Sequence, residues 1–177
     1  MTSPPGQGLG KGMIFAAWIL LLLLLTLFFG EVLEKRENPN STPGGSISSQ
    51  GVREVVLERN AQGHYVASGM INGHPVVFLL DTGATDVAVS EALANRLGLK
   101  KRGGAFSHTA NGVVAVWQTV LDRVTLGVIE MHNVRATILP ELKPANQVLL
   151  GMSFLKNLEM IQRDGVLTLR EGALGNP

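Results

Sequence analysis

One acidic side chain stands where an acid needs a reason. Residues 76–80, Val-Val-Phe-Leu-Leu, form an apolar run of the kind that makes a buried strand. The run ends on Asp81, followed by Thr82, Gly83, Ala84, Thr85 and Asp86. A carboxylate at the end of a buried strand is costly unless it is hydrogen-bonded or shares a proton. Thr82 offers a hydroxyl partner, and Gly83 lets the backbone turn closely beneath the acid. Apolar residues resume at Val87, Ala88 and Val89. The same residues also read as a strand that ends in an ordinary turn, because Asp, Thr and Gly are common turn residues.

Other chemistries find less support. The chain has no cysteine, which excludes a disulfide framework, a thiolate zinc site and a cysteine nucleophile. His64, His74, His108 and His132 lack the ligand spacing of a metalloprotease helix, so no metal or other cofactor is expected. No Gly-x-Ser-x-Gly elbow and no phosphate loop occur. The formal charge of +1 gives no reason to expect nucleic acid as a partner. With 21 glycines and only 5% aromatics, the 177 residues favour a turn-rich β protein over a helical bundle.

The residues around Asp81 resemble the active-site signature of aspartic proteases. Leu79-Leu80-Asp81-Thr82-Gly83-Ala84 carries the first half of it. Val148-Leu149-Leu150-Gly151, followed by a short apolar helix expected over 153–158, resembles the second half. One such pair with a hairpin-rich stretch between them is similar to the retropepsin branch, and most closely to membrane-anchored bacterial retropepsin-like proteases. The resemblance covers residues 52–170. It implies an all-β, closed barrel-like domain with short helices. It implies Asp81 as the catalytic acid and Thr82, Gly83 and Gly151 as its support. Ala84, Thr85 and Asp86 would line the groove for a polypeptide substrate. Two carboxylates sharing one proton are needed, because like charges so close cannot both ionise. The chain holds a single Asp-Thr-Gly, so a twofold homodimer is expected to supply the second. Retroviral enzymes carry an acid at the position of Thr85 and an arginine at that of Met152. Those two side chains pair with each other there, so their joint replacement is self-consistent.

The elements that must position these residues read as β throughout 52–171. Alternation around Val55 and Leu57, a turn at 60–63 and a strand over 65–71 lead to Asn72-Gly73, a two-residue hairpin signal. Pro75 opens the next strand, where a missing N–H is tolerated. Ser90 is a candidate cap for a short helix over 91–97, with Gly98 closing it. Lys100-Lys101-Arg102 reads as a solvated turn. Residues 106–117 form a hairpin with small residues at its tip. The resemblance makes that hairpin the flap over bound peptide, with Thr109, Ala110, Asn111 and Gly112 touching substrate. Strands over 120–126 and 129–139 join at Gly127, and Asp164-Gly165 signals a last hairpin.

The N-terminal part differs in kind. Residues 1–12 read as a disordered tail and 172–177 as a frayed one. Residues 13–29 are apolar and charge-free, and 13–30 make a transmembrane anchor at the short end of the usual length. A cleaved signal peptide or a buried core helix would look similar, but no small-x-small pair marks an exit site near Gly30. An uncleaved single-pass anchor in the lipid of the inner (plasma) membrane is the expectation, with the catalytic domain in the periplasm. Residues 31–51, rich in Ser, Gly, Pro and Thr after Asn38-Pro39, read as a linker. The competing functions are a non-catalytic, membrane-tethered peptide-binding or dimerisation module of the same fold, and a structural envelope protein with an incidental Asp-Thr-Gly turn.

Overall fold

The computed structural model describes residues 7–109, 112–142 and 147–172, with the side chains of 7–11 and 107–109 left aside. It divides into two units, residues 1–36 and 37–177.

The first unit is one helix, α1 (Gln7–Glu37). Within its stretch Gly12–Glu37 an 18-residue window has a mean hydropathy of 2.6, and none of that window is buried. At about 1.5 Å per residue the stretch exceeds the roughly 30 Å of a bilayer core. The helix could cross a membrane, although a signal sequence has the same character. It begins at Gln7 and not at Met13, so half of the expected tail is helical. Propagating an existing helix costs far less than nucleating one.

The second unit is all-β with two short helices. Its strands are β1 (Gly44–Ile47), β2 (Arg53–Glu58), β3 (Val66–Ile71), β4 (His74–Leu80), β5 (Val87–Ser90), β6 (Arg102–Thr109), β7 (Gly112–Leu126), β8 (Ile129–Leu139), β9 (Gln147–Leu150), β10 (Leu158–Arg163) and β11 (Val166–Glu171). Helix α2 (Glu91–Arg96) follows β5, and α3 (Met152–Leu155) follows β9. A seven-stranded sheet runs β3-β4-β9-β5-β8-β7-β6 and closes on itself through β3 and β7. A four-stranded sheet runs β1-β2-β11-β10. Val55, Leu57 and Leu169 of the small sheet join Phe78, Leu121, Ile138 and Leu150 of the large one and Phe154 of α3 in a single core.

Local chemistry explains several joints. Asn72 and Gly73 take φ of 51° and 82°, and Asp164 and Gly165 take 51° and 81°, as two-residue hairpin turns require. The Ser90 hydroxyl accepts the Leu93 N–H at 3.2 Å and caps α2.

Three expectations need correction. The linker is not free from Asn40 onward. Asn40 is 5% exposed, and its side chain donates to Glu58 O (2.9 Å) and Val66 O (2.7 Å) while accepting from Glu58 N (2.8 Å). Residues Gly44–Ile47 then pair with β2. The helix expected over 153–158 ends at Leu155, because Leu158 is buried and opens β10 opposite Glu171. The basic turn is partly structural: Arg102 begins β6, and the Lys101 ammonium pairs with the Glu91 carboxylate and lies 3.9 Å over the Trp117 ring.

Candidate active site

Asp81 follows directly on β4, and β9 is threaded between β4 and β5, the two strands that flank its loop. β4 and β9 are parallel, with Leu80 opposite Leu150, and Asp81 N continues that ladder by donating to Leu150 O at 3.2 Å. The loop then folds under the acid. Gly83 N donates to Asp81 Oδ1 at 2.8 Å, and Ala84 N donates to Asp81 O at 3.2 Å. This is the side-chain turn that aspartate favours. Asp81 is half-buried, while Thr82 and Gly83 are exposed. The carboxylate is thus fixed by a backbone donor and still reachable from solvent.

The far side of the loop is clasped by the segment after β9. Met152 N donates to Ala84 O at 2.8 Å, and Ser153 N donates to Thr85 O at 2.9 Å. Gly151 makes that approach possible. A Cβ there would lie 2.7 Å from Ala84 O and closer still to Asp86 O. Ser153, 9% exposed, adds a side-chain bridge: its hydroxyl accepts from Val87 N (3.0 Å) and donates to Arg135 O (2.8 Å). It ties the start of β5 to α3 and β8. Nothing in the sequence near Ser153 signals this role.

The remaining residues singled out from sequence divide. Ala84 is half-buried and Thr85 is exposed beside the acid. The Asp86 carboxylate turns toward its own chain, with Oδ1 sealed from solvent and 3.4 Å from Arg135 Nη2. That contact is an ion pair without hydrogen-bond geometry. Arg135, two-thirds exposed, had no sequence signal. In the hairpin, Thr109 pairs with Gly112, whose φ is +108°. Ala110 and Asn111 lie outside the described residues, as does the His108 side chain. One face of this hairpin carries Ala105, Val114 and Val116 onto Ala88, Leu139 and Leu149 of the strands beside the Asp81 loop. Phe106 and Val113 remain 79% and 58% exposed. Two surface clefts of about 500 Å³ and 450 Å³ lie elsewhere, at Met131–Asn157 and Ser68–Leu97, and neither includes Asp81.

Chemically, the arrangement offers one carboxylate oriented by a backbone N–H and a two-stranded arm packed on neighbouring strands. Comparison with known proteins agrees. Residues 67–157 match the model of the family described as "gag-polyprotein putative aspartyl protease". A Sinorhizobium protein described as uncharacterized, from the cobV 5′ region, is 32% identical over 178 residues, covering 94% of this chain and 75% of that one. An uncharacterized protein of Rickettsia prowazekii (strain Madrid E) is 29% identical over 119 residues, covering 66% of this chain and half of that protein's length. Among solved structures, a retropepsin-like aspartic protease from Rickettsia conorii is similar with a TM-score of 0.55 and 24% identity, over 73% of this chain and 94% of that one. That last likeness speaks for the fold, and the family match covers the Asp81 loop and its Gly151 clasp together. The chain belongs to the gag-polyprotein aspartyl protease family, the retropepsin-like aspartic proteases.

Proposed function

We propose that the protein is a membrane-anchored aspartic endopeptidase whose active form is a homodimer. The observation that carries this reading is Asp81 itself. It is half-buried, it accepts the Gly83 N–H at 2.8 Å, and its loop is clasped at Ala84 O and Thr85 O by Met152 N and Ser153 N. A carboxylate so placed, once beside its symmetry mate, shares one proton with it. The ionised member takes a proton from water as the water oxygen attacks the peptide carbonyl carbon. The protonated member donates to the carbonyl oxygen. Collapse of the tetrahedral adduct breaks the C–N bond and delivers a proton to the leaving nitrogen, giving an acid and an amine. The pair titrates as a unit, so neither copy of Asp81 owns a role.

The dimer reading is supported by the sequence, which has one Asp-Thr-Gly. A single chain offers half a groove. Thr82, exposed next to the acid, is the residue that braces the two loops across the axis. Ala84, Thr85 and Asp86 form the floor of the substrate groove, and the hairpin tip from Thr109 to Gly112 closes over it. Helix α1 holds the domain to the inner membrane through 13–30, with the domain on the periplasmic side. Two copies in one membrane also meet at a raised effective concentration.

The test is cleavage of a denatured protein library by the purified full-length chain. Wild-type protein should cut it, with a rate that falls on both the acid and the alkaline side of a maximum. Asp81→Asn protein of unchanged fold should not cut it. A non-catalytic peptide-binding module would bind the library and cut nothing in either form.

A further inference from the structure

The chain enters the domain beside a cleft. Glu37 O accepts Asn60 Nδ2 at 3.1 Å, Asn38 Nδ2 donates to Ser68 Oγ at 3.0 Å, and Ser68 N donates to Asn40 O at 3.0 Å. The incoming segment thus holds Ser68 by both its hydroxyl and its amide. Ser68 also lines the cleft of about 450 Å³ between β3, β4 and α2. That volume is in the range of small-molecule sites. Pro75, Val77 and Leu97 give the cleft an apolar wall, and His74 and Arg96 bring it basic groups. No acid is among its described lining residues.

The short joint sets the height of this cleft. Leu33 is the last apolar residue before the charged run Glu34-Lys35-Arg36-Glu37, and Asn38 is already bonded to Ser68. Those five residues rise about 8 Å as helix, the state of α1 up to Glu37, and reach at most roughly 18 Å when extended. The headgroup layer on one side of a bilayer is about 6 Å deep. With Leu33 at the edge of the hydrocarbon core, Ser68 stands at or just beyond the headgroups. A free tether over 31–51 would set no such height. Ser68 is paired with Val77, and the step from Val77 to His74 along β4 is about 10 Å. The far end of the cleft therefore stays within about 10 Å of the same level.

We infer that the Ser68–Leu97 cleft binds the headgroup of an anionic phospholipid from the bilayer that holds the chain. This rests on the membrane anchor proposed above and says which face of the domain turns to the lipid. Arg96, exposed at the end of α2, offers a planar fork of N–H donors that matches a phosphate. The exposed His74 ring adds a further donor. The apolar wall takes the glycerol backbone and the first acyl carbons. A soluble phosphate would leave that wall without a partner, so a lipid fits the whole cleft and free phosphate fits only part of it.

The chain lacks cysteine, so a single-cysteine variant carries one fluorescent label. Met70, 49% exposed and opposite Pro75 at the cleft, is the reporter position, and Lys156 at the Met131–Asn157 cleft is the control. Full-length Met70→Cys and Lys156→Cys chains are placed in phosphatidylcholine nanodiscs of increasing phosphatidylglycerol content, with a headgroup spin-labelled lipid as quencher. The Met70 label should be quenched several-fold more than the Lys156 label once phosphatidylglycerol is present. Adding Arg96→Gln should raise the phosphatidylglycerol content at half-maximal quenching about fivefold. Millimolar inorganic phosphate should leave the quenching unchanged. Phosphate that abolishes it would make this a site for the free ion and overturn the lipid assignment. Equal quenching of the two labels, or Met70 quenching indifferent to phosphatidylglycerol and to Arg96→Gln, would overturn the cleft and leave the anchor standing. A chain that alkaline carbonate strips from vesicles would overturn the anchor and this site together.

Discussion

The loop at 81–86 and the hairpin of β6 and β7 sit on the same strands but are held in opposite ways. The loop takes its bonds from segments distant in sequence: Leu150 O receives Asp81 N, and Met152 N and Ser153 N reach Ala84 O and Thr85 O. Those bonds are backbone to backbone and depend on side chains only where room must be left, at Gly151. The outer part of the hairpin is bonded strand to strand among the described residues, β6 is a sheet edge, and Phe106 and Val113 face solvent. The loop that carries the carboxylate is bonded from outside its own segment, and the hairpin is bonded strand to strand. Stability is not uniform across a fold, and moving elements come from its weakly held parts.

Substitutions can break that contrast or sharpen it. The largest effect belongs to Asp81→Asn. It keeps the shape and can keep the Gly83 contact, but it removes the charge that takes a proton from water in the proposed mechanism. Turnover should fall by at least about a thousandfold with an unchanged unfolding curve. Next comes Gly151→Ala. The new methyl meets Ala84 O and Asp86 O, which belong to the clasped backbone and cannot yield as a flexible side chain could. A loss of about 3 kcal/mol in urea unfolding is expected, together with loss of activity. Ser153→Ala strands the Val87 N–H in a buried place and should cost about 2 kcal/mol. Activity should survive in part, because the two backbone bonds remain. The smallest effect on stability belongs to Gly112→Ala in the hairpin. Its φ of +108° suits glycine, but it lies in a two-stranded hairpin at the sheet edge. Unfolding should change by about 1 kcal/mol or less while KM rises several-fold. If Gly112→Ala destabilised the domain as much as Gly151→Ala does, the contrast between held loop and free arm would be wrong.

What could be read in the sequence was what local chemistry decides. Asn-Gly and Asp-Gly declared their turns, Ser90 its cap, and the apolar run before Asp81 its strand. What could not be read depends on partners far along the chain. No spacing rule places β9 between β4 and β5. The Ser153 bridge joins residues 18 and 66 positions away. Asn40 sits in a stretch whose Ser, Pro and Gly suggest a free tether, yet its carboxamide meets β2 and β3 from 18 and 26 positions away. The Asp86–Arg135 pair is hidden for the same reason. The second arm of the hairpin expected over 106–117 and the strand expected over 120–126 share one 15-residue strand, β7, in which Thr119 is buried and donates to Lys100 O at 2.9 Å. A polar Gln-Thr pair reads as a break until that partner is known.

The central claim is that two chains build one active site around two copies of Asp81. Mixing active wild-type chains with a ninefold excess of Asp81→Asn chains, after exchange of subunits, tests it most directly. Random pairing leaves about one wild-type chain in ten with an intact partner, so activity per wild-type chain should drop to about a tenth. Activity per wild-type chain that stays unchanged across the mixing series would contradict the account.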